Sequence, residues 1–398
     1  MNVLIWDPFF RTGMGGGEVV VSNLIEGLPQ AGIDCAVASM RKGDETTGNR
    51  IVNVPIDLRL QKIMYSSYAF EIFSPILERS IAKIFETNAF DFVQIEHPVL
   101  SRVLVRALER VPTHRRPLTV FDLGSLELDL SPFRSHMGPI QFAIVQDFHR
   151  GMYSSLKRID FLNAVSLYNV RLLRKRGISP KVGLMTINMN MVRDEWLEMP
   201  PDRAKRYFET PLKIYIPGRI ERVKGHGIIL AALKRVMEKQ GRGTFQVKFT
   251  GRGHFREPFL KGIDAANMSS SFNDAGWIDY HSLKNLYQNV ALVLVMYQHA
   301  GVFSQVIAEG MSTGNCVVAS RLGAFREAVN DEKNGILVPH DDPEELARTI
   351  GRLMNNRDTL QKLGMAANEK AKSVFSRSEL IKRLASFYEA PKDHLLQS

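Results

Sequence analysis

Cysteine is nearly absent from the chain: only Cys35 and Cys316 occur among its 398 residues. Both lie in apolar, strand-like surroundings, so neither a disulfide framework nor a cysteine metal site is expected. No apolar run reaches the roughly 18 residues that a transmembrane helix needs. The apolar start, MNVLIWDPFF, lacks a basic leader and predicts a first strand rather than a signal peptide. Together these absences predict a cytoplasmic protein.

Positive charge is in excess, with 52 Lys and Arg against 42 Asp and Glu and a formal net charge of +10. Such a balance suits acidic partners: nucleotides, phosphosugars, nucleic acid or an anionic membrane face. The excess is spread over both halves of the chain, and neither a nucleic-acid-binding motif nor a one-sided basic stripe accompanies it. We therefore expect no nucleic-acid partner. The oligomeric state has no signature in the sequence.

The order of apolar runs predicts two α/β domains. Short strand-like runs alternate with helical patterns from NVLIWD to KVGLMTINM, and the alternation restarts at LKIYIPGR after a polar, proline-containing stretch at 194–211. The later runs are FQVKFTGRG, SFNDAGWID, ALVLVMY, NCVVAS and NGILVP. This alternation is typical of doubly wound parallel sheets, which bind ligands at the carboxyl ends of their strands.

The first glycine-rich loop, RTGMGGGEVV at 11–20, follows the first predicted strand. Gly16 and Gly17 would let backbone N–H groups approach a phosphate at the start of a helix. A dinucleotide fingerprint is disfavoured, because Glu18 occupies its third glycine position and would repel a pyrophosphate. The alternative is a tight turn without a ligand.

The second loop, YIPGRIERVKGHG, follows the strand that opens the second series. Arg219 offers a bidentate fork and Lys224 a point charge, a combination that suits a diphosphate. The alternative is a pair of ordinary surface cations. Gly225 and the similar loop TGRGH at 250–254 favour the diphosphate site.

The third segment, HAGVFSQVIAEGMSTG, predicts a helix that begins near Phe303–Gln305. Its first N–H groups would be free to hold a phosphate. Glu309 is the one carboxylate in this helix, and a carboxylate can accept from two neighbouring ribose hydroxyls. The apolar neighbours Ile307 and Ala308 predict a buried helix, which disfavours the alternative of a solvated Glu309.

Taken together, these motifs resemble the retaining glycosyltransferases of the GT-B fold, a group that includes glycogen synthases and bacterial lipid mannosyltransferases. The resemblance covers nearly the whole chain and depends on the order and spacing of its motifs. The motifs that carry the resemblance are the loop Gly15–Glu18, the clamp Gly218-Arg219 and Lys224-Gly225, the pair Gly251 and Gly253, the nucleobase loop Gly276–Ile278, the segment EGMSTGNCVVAS from Glu309, and the segments GAFRE and NGILVP.

The resemblance implies two Rossmann-like domains that face each other across a cleft. Residues 1–190 would form the acceptor side, with the C-terminal helix at 376–398 packed back on it, and residues 191–375 the donor side. It implies transfer of a sugar from a nucleoside diphosphate sugar to a glycan, lipid-linked or small-molecule acceptor. Anomeric configuration would be retained, and neither metal nor cofactor would be needed. The implied catalytic residues are Arg219, Lys224, Glu309 and Asp122. The implied donor contacts are Gly16, Gly17, Arg219, Lys224, Gly251, Ile278, Phe303, Ser304, Gln305, Val306 and Glu309.

Three positions depart from the family pattern. Gly301 replaces a glutamate that binds the donor sugar, Ser304 replaces a glycine, and Phe121 replaces the histidine before Asp122. We favour an active enzyme with altered donor recognition over a degenerate protein that binds nucleotide or glycan without turnover.

Two further segments leave alternatives open. The apolar segment 58–86 is expected to pack as ordinary helix, with an acceptor groove or a membrane contact as the alternatives. The nearest approach to an Asp-x-Asp metal motif, ELD at 127–129, is expected to be a loop acid.

Overall fold

The computed structural model describes residues 1–7, 10, 16–39, 50–53, 69–95, 100–123, 138–199, 201–298 and 304–397. The chain divides into two units. The first comprises Met1–Met189 and Leu380–Ser398, and the second comprises Asn190–Glu379.

The described part of the first unit contains a seven-stranded parallel sheet in the order β3-β2-β1-β4-β5-β6-β7. Its strands are β1 (Asn2–Trp6), β2 (Asp34–Ser39), β3 (Arg50–Asn53), β4 (Phe92–Ile95), β5 (Leu118–Asp122), β6 (Phe161–Asn163) and β7 (Gly183–Met185). Six of them coincide with predicted apolar runs. The sequence pattern did not predict β3, a four-residue edge strand that pairs with β2 alone.

The second unit contains a six-stranded parallel sheet, again counted over the described residues, in the order β10-β9-β8-β11-β12-β13. Its strands are β8 (Leu212–Ile216), β9 (Phe245–Phe249), β10 (Phe272–Asp274), β11 (Leu292–Val295), β12 (Cys316–Ser320) and β13 (Ile336–Val338). All six were predicted. The order reverses between β8 and β11, and this reversal is the topological switch point of a doubly wound sheet.

Most consecutive strands are connected by helices, as neighbouring parallel strands require. The first unit contains α1 (Gly16–Gly27), α2 (Ala69–Thr87), α3 (Leu100–Arg110), α4 (Pro139–Leu156) and α5 (Leu167–Lys175). The second contains α6 (His226–Gln240), α7 (Arg256–Ala265), α8 (Tyr280–Gln288), α9 (Gln305–Ser312), α10 (Phe325–Ala328), α11 (Pro343–Asn355) and α12 (Arg357–Val374). The last helix is α13 (Arg377–Glu389), whose residues from Leu380 onward belong to the first unit.

Both sheets have central strands that are buried on the two faces. Every residue of β11 and β12 is buried, whereas β9 near the sheet edge alternates buried and exposed residues. Continuous apolar strands of this kind are expected where helices cover both faces of a parallel sheet. In the first unit, Phe387 and Tyr388 of α13 pack against Phe92 of β4, and the Tyr388 hydroxyl donates to Gln94 Oε1.

None of the helices in the described ranges combines the length and apolar character that crossing a bilayer demands.

Candidate functional site

The switch point of the second sheet places two loops side by side. One loop follows β8 and runs through Arg219 and Lys224 to Gly225. The other follows β11 and leads to α9, and its residues 299–303 lie outside the described part of the chain. Because β8 and β11 are parallel neighbours, both loops leave the same edge of the sheet. A ligand crevice is expected at this place in an open parallel sheet.

Gly225 brings the backbones of the two loops into contact. It ends a 3₁₀ turn over Arg222–Lys224 in a left-handed conformation, with φ 72° and ψ 19°. A Cβ atom on Gly225 would lie 1.7 Å from the carbonyl oxygen of Met296, so no other residue fits without moving the backbone. The Gln298 N–H also donates to the Val223 carbonyl at 2.8 Å. These two contacts fix Lys224 relative to the end of β11.

Lys224 lies against an aromatic ring. Its Nζ is 3.6 Å from the centroid of the Tyr297 ring, close enough for a cation–π interaction. The hydroxyl of Tyr297 accepts a hydrogen bond from Ser304 Oγ at 3.1 Å, and its ring packs edge-on against Phe325. Sequence reasoning missed Tyr297, because neither its spacing nor its neighbours mark it as a partner of Lys224.

The first turn of α9 has N–H groups that precede its internal hydrogen bonds. Among the described residues, the first internal bond runs from the Ile307 N–H to the Ser304 carbonyl at 2.9 Å, and Gln305 and Val306 precede it. Ser304 occupies the N-cap position, but its hydroxyl does not cap the helix. Val306 Cγ1 is 3.8 Å from the position of a Cβ on Gly218, which places this helix start beside the loop after β8. Such a helix terminus favours an anion.

The glycine loops after β8, β9 and β10 are joined through their backbones. The Gly251 N–H donates to the Gly276 carbonyl at 2.8 Å, and the Ile220 N–H donates to the Arg252 carbonyl at 3.0 Å. A Cβ on Gly251 would lie 2.2 Å from the Gly218 carbonyl oxygen, which explains the glycine there. Arg219 is exposed beside this junction and Ile278 is half-buried.

Glu309 is buried on the second turn of α9, as its apolar neighbours predict. The Tyr287 hydroxyl donates to its carboxylate at 2.8 Å. Burial raises the pKa of Glu309 to about 7, although the hydrogen bond from Tyr287 opposes the shift. That Glu309 contacts a ribose stays a prediction. The structure adds that one of its carboxylate oxygens already has a protein partner.

The predicted residues of the first unit lie at two places. Gly16 and Gly17 begin α1, directly after the loop that follows β1, and a Cβ on Gly17 would meet nothing within 4 Å. Packing therefore does not require glycine at position 17. Gly15, like most of this loop, lies outside the described residues.

Asp122 ends β5 and is 1% exposed. Its carboxylate accepts from Asn163 Nδ2 at 2.7 Å and from Gln94 Nε2. Burial raises the pKa of Asp122 to about 7, against the effect of these two hydrogen bonds. The predicted role of Asp122 at the reacting sugar stays a prediction.

Besides Gly15, four sequence predictions fall on residues that the structure does not describe: the donor contact Phe303, the departure Gly301, the loop acids at 127–129, and the start of the apolar segment at 58–68. Over the residues that are described, no three His, Cys, Asp or Glu side chains are grouped to hold a metal ion. Metal independence stays a prediction.

Two family models match the chain, one in each unit. The model described as Glycosyl transferases group 1 matches residues 200–370, and that described as Glycosyltransferase Family 4 matches residues 14–184. The second unit thus contains a glycosyl transferases group 1 domain, and the first unit contains a Glycosyltransferase Family 4 domain. The first match covers all the loops at the switch point of the second sheet, from Gly218 to Glu309.

One relative and two solved structures are similar to this chain. The D-inositol 3-phosphate glycosyltransferase of Corynebacterium urealyticum is 29% identical over 177 residues, which are 42% of this chain and 41% of the relative. The chain thus spans about two fifths of the length of that relative. The sucrose-phosphate synthase of Thermosynechococcus elongatus superposes with a TM-score of 0.78 at 18% identity, over 98% of each chain. Anabaena HepE in complex with UDP superposes with a TM-score of 0.75 at 16% identity, over 98% of this chain and 100% of HepE. These likenesses show the fold, which is GT-B, as predicted.

Proposed function

We propose that this protein transfers a sugar from a nucleoside diphosphate sugar to an acceptor, with retention of anomeric configuration and without a metal ion. One observation carries the proposal: Lys224, Arg219 and the first turn of α9 surround the switch point of the second sheet. The close approach of Gly225 to the Met296 carbonyl holds the Lys224 loop against the end of β11, the strand that leads to α9.

The chemistry that this arrangement can perform is stabilisation of a departing diphosphate. As the bond between the anomeric carbon and the phosphate oxygen breaks, the electron pair stays on the diphosphate. Lys224, Arg219 and the N–H groups of Gln305 and Val306 would stabilise the charge that develops there. A divalent cation performs this work in other transferases. For retention, the acceptor hydroxyl attacks the face that the diphosphate leaves and passes its proton to a phosphate oxygen.

The base of the nucleotide would lie on the loops after β9 and β10. Gly251 and Gly276 are joined by a hydrogen bond there, and half-buried Ile278 follows them. Since HepE, a protein of the same fold, was crystallised with UDP, uracil is the first base to test. We assign the acceptor to the first unit, as the resemblance implies; beside Gly17, in the first turn of α1, there is open space.

The proposal is tested by differential scanning fluorimetry and calorimetry with UDP, GDP, ADP and dTDP in EDTA. At least one diphosphate should raise the melting temperature and bind with the cation removed. If none of the four binds in EDTA or in Mg²⁺, the donor site is wrong. Binding that appears only when Mg²⁺ replaces EDTA would overturn metal independence alone.

Turnover separates an enzyme from a protein that binds without reacting. Nucleoside diphosphate sugars that carry the base identified by binding are incubated with a panel of sugar, polyol and lipid-linked acceptors. The coupling constant of the anomeric proton in the product is then measured by NMR. We expect a product with the anomeric configuration of the donor. An inverted product would refute retention. Binding without transfer or donor hydrolysis would favour the degenerate alternative.

A further inference from the structure

We propose that Tyr297 is a positioning residue that prepares both diphosphate-binding elements of the second unit: its ring holds Lys224, and its hydroxyl holds the start of α9 through Ser304. This inference rests on the proposed function, since it concerns the same site.

The ring of Tyr297 contacts Lys224. A lysine side chain has four rotatable bonds, and ordering it on a ligand lowers affinity. Here the ammonium group already lies 3.6 Å from the centroid of the Tyr297 ring. The ring attracts the cation but uses none of its N–H donors in a conventional hydrogen bond. Lys224 is thereby held in one place with its donors available for phosphate oxygens.

The hydroxyl of Tyr297 contacts Ser304. An N-cap serine usually accepts from a first-turn N–H of its own helix and so removes one donor from a ligand. Ser304 makes no such bond, and its hydroxyl instead donates to the Tyr297 hydroxyl at 3.1 Å. The first-turn N–H groups of Gln305 and Val306 therefore meet no capping side chain from Ser304. Tyr297 thus binds the N-cap side chain that would otherwise compete with a phosphate for these N–H groups.

Tyr297 itself is held firmly enough to act on both partners. Its carbonyl accepts from Ser320 Oγ at 2.7 Å at the end of β12, and its ring packs against Phe325 with centroids 5.2 Å apart. The next residue, Gln298, donates its N–H to the Val223 carbonyl, one residue before Lys224. The tyrosine therefore lies between two loops whose spacing is fixed by the backbone.

Three variants separate the roles of the ring and the hydroxyl. Tyr297→Phe keeps the ring and loses the hydroxyl, Tyr297→Leu loses both, and Lys224→Ala removes the cation. Calorimetry compares the affinity for UDP with that for UMP, or for the corresponding pair if another base binds. A general loss of folding would weaken both nucleotides alike, whereas loss of positioning weakens the diphosphate selectively.

We expect Tyr297→Leu to lower diphosphate affinity about three- to tenfold and monophosphate affinity less than about twofold. Tyr297→Phe should retain diphosphate affinity within about threefold of the wild type. Adding Tyr297→Leu to Lys224→Ala should cost no more than Tyr297→Phe costs alone, because the ring then has no cation to hold and only the hydroxyl contact with Ser304 is lost.

Two results would overturn the inference while leaving the proposed function intact. One is unchanged diphosphate affinity in Tyr297→Leu; the other is an equal loss for UDP and UMP. By contrast, a wild-type protein that binds no nucleoside diphosphate would remove the proposed function and this inference together.

Discussion

Replacing Gly225 with alanine tests the contact that sets the geometry of the site. Gly225 has φ 72° and ψ 19°, and its Cα faces the Met296 carbonyl oxygen. Gly32 in the first unit provides a matched control. It also ends a 3₁₀ turn, with φ 79° and ψ 13°, but a Cβ there would meet nothing within 4 Å. The two substitutions therefore share the backbone strain and differ in the collision.

The expected losses of stability follow from the backbone strain and from the collision of the new Cβ atom. A left-handed conformation costs a residue with a Cβ roughly 1–2 kcal/mol relative to glycine, so Gly32→Ala should lose about that much stability. In Gly225→Ala the Cβ would start 1.7 Å from a backbone oxygen, and the loops after β8 and β11 must separate. Overpacking of this kind adds roughly 1–3 kcal/mol. We expect a total loss of about 2–5 kcal/mol.

Scanning calorimetry measures the stability of both variants, and titration with UDP measures the consequence for the site. Gly225→Ala should lower the melting temperature more than Gly32→Ala does. Because the separation of the loops moves Lys224 away from the start of α9, diphosphate affinity should fall at least tenfold in Gly225→Ala and remain unchanged in Gly32→Ala. Equal melting temperatures and equal affinities in the two variants would refute the reasoning.

Three further predictions concern single side chains. Arg219→Ala and Lys224→Ala each remove a charge-assisted contact of roughly 1.5–3 kcal/mol, so calorimetry should show at least tenfold weaker diphosphate binding. If the affinity is unchanged in one variant, that residue does not bind the diphosphate. The pKa of Glu309 is about 7 in the folded protein and about 4.5 in the unfolded chain. Between these pH values the folded protein binds more protons, so the contribution of Glu309 to the free energy of unfolding falls as pH rises from 4.5 to 7. Urea unfolding of Glu309→Gln should show a shallower fall over this range, and an unaltered slope would contradict the raised pKa. Tyr388→Phe removes the hydroxyl that donates to Gln94 Oε1 and should destabilise the first unit by roughly 1–3 kcal/mol in thermal unfolding. If the variant is as stable as the wild type, this contact contributes nothing.

The fold was largely predictable, because buried parallel strands leave continuous apolar runs in the sequence. Twelve of the thirteen described strands coincide with such runs. The exception, β3, is a four-residue edge strand whose RIVN sequence has polar residues at both ends. Short edge strands are decided by pairing with a neighbour, which no local pattern records.

The site was predictable only in part. Glycines at loop positions and cations near them mark a phosphate site, so Gly225, Lys224 and Gly251 could be found from spacing. Tyr297 could not, since its contacts with Lys224 and Ser304 arise when loops distant in sequence meet at the switch point. Likewise, the hydrogen bond from Tyr287 to Glu309 joins residues of α8 and α9, and only their packing shows it.

The central claim is that a nucleoside diphosphate binds between Lys224 and the first turn of α9. A crystal structure of the protein with UDP, grown in EDTA, tests it most directly. The account predicts phosphate oxygens within hydrogen-bonding distance of Lys224 Nζ and of the Gln305 or Val306 N–H, with no metal ion between them. A diphosphate bound elsewhere, or one held away from Lys224 and α9, would contradict it.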